Sequence, residues 1–206
     1  MPDPRDLTTA TRWRKARFSL LHRQELSRQA SGVMQGKSLG AALWRAEFES
    51  ARLPRVEAEA LEADFDTLSG VVGSFLAHTA ERPRPVSIKG AANGVSVAGI
   101  GSTEPTLSLS GLAPGAELSR GDFLSILTQI GGRELVRLAE GGVADGIGLT
   151  PALRIAPLVR PSVAVGDAVT LINPMIELRL EPESLSVEAI DKLFARVSFK
   201  AVQVVR

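Results

Sequence analysis

The stretch Gly32-Val-Met-Gln-Gly36-Lys37-Ser38 comes nearest to a phosphate-binding loop. Such a loop, G-x-x-x-x-G-K-[ST], cradles phosphate on backbone N–H groups and opens into a helix. Here one residue is missing between the glycines, and turn signals rather than a helical pattern surround them. The stretch reads instead as a glycine-rich turn that exposes Lys37. Gly99-Ile-Gly101 opens like a dinucleotide fingerprint, but Glu104 stands where the third glycine belongs. No serine occupies a G-x-S-x-G elbow, and there is no cysteine. The two histidines, His22 and His78, read as surface or helix-capping groups rather than bases. Glu57, Glu59, Glu62, Asp64 and Asp66 lack a histidine partner and read as the wet side of a helix. Asp145-Gly-Ile-Gly carries one carboxylate, too few for a calcium loop. The expectation is a protein that is not an enzyme, with no catalytic residue, no cofactor and no metal site.

Composition narrows the remaining classes. The chain has 206 residues, 44% of them hydrophobic and 23% charged, enough to bury a core. A net charge of +1 lacks the basic excess of a nucleic-acid binder, so no nucleic-acid sequence recognition is expected. The opening Met1-Pro-Asp-Pro-Arg-Asp has no apolar run behind it, which argues against a signal peptide. No apolar stretch approaches the ~18 residues of a membrane span, so no membrane insertion is expected. Synthesis in a cytoplasm and a soluble product follow as expectations.

The patterning predicts a mainly β chain with one long α-helix. Residues 1–11 read as a flexible arm, and 13–22 as a strand with Trp13, Lys15, Arg17 and Ser19 on one face. That mixed face suits a sheet edge or an interface. Residues 24–40 carry Gly32, Gly36 and Gly40 and read as two short segments joined by turns. Over 42–52, Trp44, Ala46 and Phe48 alternate with Arg45, Glu47 and Glu49, a strand with a buried and a wet side. Leu61, Phe65, Leu68, Val72 and Phe75 recur at helical steps, which predicts a helix over 55–78, weakened by Gly70 and Gly73. Beyond Arg82-Pro-Arg-Pro, short apolar runs at 86–88, 95–100, 106–109, 123–127, 134–138, 152–155 and 169–172 predict a small barrel or sandwich. Gly131-Gly132 reads as a hairpin turn. A strand over 175–180, a short helix over 187–194 and a last strand over 196–205 complete the expectation, with no tandem repeat.

Trp13 is flanked by Arg12, Arg14, Lys15 and Arg17 behind the polar arm. A tryptophan among arginines has the composition of an interface anchor. Trp13, Arg14 and Arg17 are therefore the candidate oligomer-interface residues, against the plainer reading of a basic surface strand.

Several stretches together resemble the distal tail proteins of long-tailed bacteriophages. They are Leu43-Trp-Arg-Ala-Glu-Phe48 before a helix containing Ala58-Glu-Ala-Leu-Glu-Ala-Asp-Phe-Asp-Thr-Leu-Ser-Gly70, then Leu112-Ala-Pro-Gly-Ala-Glu-Leu-Ser-Arg-Gly-Asp-Phe123. Gly148-Leu-Thr-Pro-Ala-Leu-Arg-Ile-Ala-Pro157, Arg160-Pro161 and Phe194-Ala-Arg-Val-Ser-Phe-Lys-Ala-Val202 continue the likeness. The resemblance is one of pattern and order over most of the chain. It implies a β-sandwich belt domain, residues 1–85 plus 166–206, with an inserted small β-barrel or sandwich domain at 86–165. It also implies a virion structural protein, assembled in the host cytoplasm. This would be a ring, a homohexamer as a rule, joining the tail tube to baseplate, hub or fibre proteins. A tail tube or tail terminator protein is the alternative within the same class. A small β-barrel module for sugar or peptide is the alternative outside it.

Overall fold

The computed structural model describes residues 4–9, 11–28, 32, 34–80, 82–88, 94–102 and 104–205. The chain is mainly β with one α-helix among the described residues. Its first part holds β1 (Arg5–Asp6), β2 (Trp13–Leu21), β3 (Gln24–Arg28), β4 (Met34–Ser38), β5 (Leu43–Ser50), β6 (Leu53–Pro54), α1 (Arg55–Asp66) and β7 (Phe75–His78). The middle holds β8 (Ser96–Ile100), β9 (Thr106–Ser110), β10 (Glu117–Leu118), β11 (Phe123–Leu127), β12 (Arg133–Leu138), β13 (Gly142–Val143), β14 (Leu153–Ala156) and β15 (Ala168–Thr170). The chain closes with β16 (Met175–Leu180), β17 (Ser186–Ala189) and β18 (Phe194–Gln203).

The large sheet runs β1-β7-β16-β18-β5-β2, with β6 and β17 added along β18. Its strands alternate as half-buried strands must. Trp44, Ala46 and Phe48 of β5 face inward, as do Phe75 and Ala77 of β7, Ile176, Leu178 and Leu180 of β16, and Val197, Phe199 and Ala201 of β18. Helix α1 lays Ala58, Leu61 and Phe65 onto this face. Phe199 sits at the centre, stacked on Phe48 at 4.8 Å and tilted against Phe65 at 4.7 Å.

The helix is shorter than its apolar spacing predicts and stops at Asp66, not at residue 78. Ser69 and Gly70 both take left-handed backbone, with φ of 55° and 66°, which no helix tolerates in succession. The Gly73 N–H then returns to the Leu68 carbonyl at 2.8 Å, so tightly that a Cβ on Gly73 would lie 2.6 Å from that oxygen. Phe75 reaches the core from a strand, while Val72 is left exposed. The helix expected over 187–194 is likewise absent. Val187 pairs across from Val197 in β17, and Asp191 accepts hydrogen bonds from the N–H groups of Leu193 and Phe194 to make the turn. Residues 86–88 form no strand.

The middle of the chain forms a closed barrel in the order β11-β12-β14-β9-β8-β15. Leu107, Leu109, Leu124, Ile126, Val136, Leu138, Leu153 and Ile155 fill it. The Gly131-Gly132 turn joins β11 to β12, as expected, with Thr128 accepting from and donating to Gly132. The barrel lies between β7 and β16, which pair directly through Met175 and His78. The Asn173 N–H donates to the Pro83 carbonyl at 2.6 Å, so the outgoing and returning segments run side by side. Strand β15, at Ala168–Thr170, closes the barrel against β8 and β11, so the barrel extends past residue 165.

The barrel has an internal pseudo-repeat. Gly121-Asp122 precedes β11 and Gly166-Asp167 precedes β15, with glycine φ of 91° and 93°. Each carboxylate accepts from the backbone N–H three residues before it, Ser119 at 2.7 Å and Ala164 at 2.8 Å. Gly121 and Asp122 exchange backbone bonds with Leu138, just as Gly166 and Asp167 do with Val97. The two turns are thus built alike and each ties its strand to a neighbouring barrel strand. Only the first turn is covered, by Arg82, which donates to the Arg120 carbonyl and lies 3.4 Å from Asp122.

The outer wall of the barrel completes the core of the sheet. Phe123 and Leu135 join the sheet cluster, and the Trp44 indole N–H donates to the Leu135 carbonyl at 2.6 Å. Ser125 Oγ donates to the Met175 carbonyl at 2.6 Å. Glu134 is buried at the joint, paired with Arg160 and facing the Gln203 amide. Gln203 Oε1 in turn accepts from the Trp44 backbone N–H at 3.1 Å.

Candidate assembly surface

Strand β2 carries the three residues singled out from the sequence, and the fold treats them differently. It ends the strand order of the large sheet and pairs on one side only, with β5. Its register on β5 slips between Trp13 and Lys15. A bulge there inserts one residue and reverses the facing of what precedes it. Trp13 is thereby turned from the face of Lys15 and Arg17 to the inner face. Its ring meets Phe48 at 5.0 Å and Phe199 at 5.4 Å, and its indole N–H donates to the Thr8 carbonyl at 2.8 Å. Trp13 is therefore engaged within its own chain, where the sequence reading made it an interface anchor. The bulge escapes a period-two count because it adds a residue without changing the composition.

Arg14 and Arg17 are exposed on the charged outer face of the sheet. Arg14 stands 3.6 Å from Glu49, and Lys15 bonds Glu47 at 2.6 Å. Arg17 lies opposite Glu47 in register. The N-terminal segment does not reach away as an arm. β1 pairs with β7 in parallel, and Asp6 accepts from the N–H groups of Thr8 and Thr9 at 2.9 and 3.0 Å. His78 lies 3.4 Å from Thr9 Oγ1 under this segment, and burial lowers its pKa despite the nearby Asp6. Residues 1–3 and 10 of the expected arm lie outside the described residues.

The projecting element is instead the ribbon of β3 and β4. It continues the β2–β5 pair outward, with Gln24 opposite Ser38 and Arg28 opposite Met34. Every residue of both strands is exposed. Leu26 and Met34 share one face of it and are 63% and 58% exposed, so they join neither core of the described chain. Gly32 and Gly40 lie outside the strands, but Gly36 falls inside β4 rather than in a turn, and a two-stranded ribbon without a core gives no apolar alternation to read. Gly32 and Gly36 fall on this ribbon, so the near-miss phosphate loop has no helix after Ser38, only Leu39 and β5. Lys37 stands exposed opposite Glu25. Titration with ATP and magnesium is expected to release no binding heat. Lys37 stands on a strand rather than in the expected turn, and micromolar binding that Lys37→Ala abolishes would overturn the dismissal of a phosphate site.

A groove of about 540 Å³ runs between the N-terminal segment and α1. Asp6, Arg12, Arg52, Glu57 and Asp64 line it with Leu61. Its carboxylates are dispersed along the groove, and no group of three metal-ligating side chains converges among the described residues. No helix of the described chain is long and apolar enough to cross a membrane. A scan against protein-family models finds no match, and a search of curated proteins finds no significant relative.

Proposed function

We propose that this chain is a structural protein of a bacteriophage tail. Copies of it form a ring, a homohexamer by the resemblance, at the distal end of the tail. There the ring joins the tail tube to baseplate, hub or fibre proteins. It is a virion component assembled in the host cytoplasm, and we assign it no catalytic role and no cofactor. The observation that carries the reading is the β3–β4 ribbon. It holds Leu26 and Met34 together on one face, away from any core of its own, where a neighbouring surface can cover them. The one-sided β2 beside it offers unpaired backbone to the same neighbour. Light scattering on the full chain, with negative-stain images, tests the reading. Rings of defined mass are expected. A chain that stays monomeric at high concentration overturns it and favours the sugar- or peptide-binding module, while stacked tubes favour the tail tube alternative.

A further inference from the structure

We infer that neighbouring copies join edge to edge, the acidic strand β17 of one subunit pairing antiparallel with the basic strand β2 of the next. The inference rests on the reading of the chain as a self-assembling subunit and names the surfaces that would close it.

Through the row that contains Lys15, Glu49, Ser198 and Ser186, the large sheet is four strands wide: β2, β5, β18 and β17. Among the described residues both ends of that row are open, because β2 pairs only with β5 and β17 only with β18. Each pairing across the row is antiparallel. Strand direction therefore alternates, and β17 runs opposite to β2. A second copy added by rotation with its strands in the same sense places its β2 beside β17 in the antiparallel arrangement, the more stable of the two. The contact is head-to-tail, so it uses two different surfaces, does not stop at a dimer, and makes a ring when the rotation between copies closes.

The two edges carry opposite charge. From Arg12 to Arg23 the β2 edge holds Arg12, Arg14, Lys15, Arg17 and Arg23, and no carboxylate falls between Asp6 and Glu25. The segment around β17 holds Glu181, Glu183, Glu188 and Asp191, with Lys192 as its only cation. Glu181 and Asp191 are engaged by Arg45 and Arg52. Glu183 and Glu188, like Arg17, form no ion pair within the described chain, which leaves them for a neighbour. Charges on an open edge normally discourage strand addition. Here a second β2 is repelled by like charge, and so is a second β17. Only the unlike pairing is favoured, which selects a ring over a symmetric dimer.

Engineered cysteines test this directly, because the chain has none of its own. Lys15, Arg17, Ser186 and Glu188 all point to the outer face. Directly opposed residues of antiparallel strands have Cα atoms about 4.5–5.5 Å apart, within disulfide reach. Lys15→Cys or Arg17→Cys is combined in one chain with Ser186→Cys or Glu188→Cys, and the assembled protein is oxidised. The expected result is a ladder of covalent multimers from at least one double variant, and no cross-link from any single variant. A covalent dimer from Arg17→Cys alone would show β2 on β2 and overturn the inference. Oligomers by light scattering with no ladder from any of the combinations would also overturn it, while the ring reading stands on another surface. A monomer throughout would remove both.

Discussion

Arg160→Met is expected to lower stability at pH 7 by about 3–5 kcal/mol, the loss found when one partner of a buried ion pair is removed. Arg160 and Glu134 form that pair with side chains only 14% and 9% exposed. They sit where the barrel meets the sheet, and Gln203 ties them to Trp44. Burial raises the Glu134 carboxyl above its usual range even with Arg160 in place. Without Arg160 the carboxyl is pushed higher still. A carboxyl whose pKa is raised on folding binds more protons in the native state, so stability rises as pH falls toward the folded pKa. The deficit of Arg160→Met is therefore largest at neutral and alkaline pH and shrinks on acidification. Glu134→Gln in the same background removes the lone charge and recovers much of the loss at pH 7. Urea titrations at pH 5 and pH 8 decide it. Equal losses at both, or a loss below about 1 kcal/mol at pH 7, would mean that the pair is solvated and the joint is held by other contacts.

None of this joint was legible in the sequence. Glu134 and Arg160 lie 26 residues apart in positions with no common period, and Gln203 is 69 residues from Glu134. Periodicity reports which side of an element is buried, not what it is buried against. That is why β2, β5, β16 and β18 of the sheet and the strands that fill the barrel were readable to within about two residues, while β1, β7 and β17 were not. Trp44, Ala46 and Phe48 alternate because β5 has one wet face, and the runs ending at Leu109, Leu127 and Leu138 are bounded by turn residues. Where two periods coincide, the pattern misleads. Leu68, Val72 and Phe75 continue a helical spacing, yet Ser69 and Gly70 break the helix and Phe75 belongs to a strand. The left-handed backbone of Ser69 and Gly70 together decides that, and composition cannot show it.

The same limit hid the barrel's pseudo-repeat and the edges proposed to assemble. Gly121-Asp122 and Gly166-Asp167 are two-residue coincidences in the sequence, and only the matched bonds to Leu138 and Val97 make them equivalent. Arg14 and Arg17 were readable as basic edge residues because their strand mixes charge with apolar side chains. Their complement around Glu188 was not, because 187–194 carries a helical pattern and forms a strand and turn instead. A charged segment gains meaning as an edge only when the strand beside it is known.

Phe199→Ala is expected to be the most damaging single truncation of the sheet, at about 3–5 kcal/mol for a buried phenylalanine. Phe199 is 2% exposed and touches the rings of Trp13, Phe48, Phe65 and Phe75, so its removal leaves a cavity bounded by two strands besides its own, the helix and β7. Phe65→Ala removes one wall of the same cluster and costs a similar amount by the same mechanism. The probes of this loss separate the two cores without labels. Both tryptophans, Trp13 and Trp44, belong to the sheet cluster, and the barrel core contains none. Tryptophan fluorescence thus reports the sheet, while circular dichroism reports sheet and barrel together. In Phe199→Ala the fluorescence midpoint in urea falls. If the joint through Glu134, Leu135 and Trp44 couples the cores, the dichroism midpoint falls with it. A dichroism transition that keeps a second phase at the original midpoint would show the barrel unfolding by itself. A fluorescence midpoint corresponding to a loss under about 1 kcal/mol would show that the cluster collapses around the missing ring and that Phe199 is not its centre.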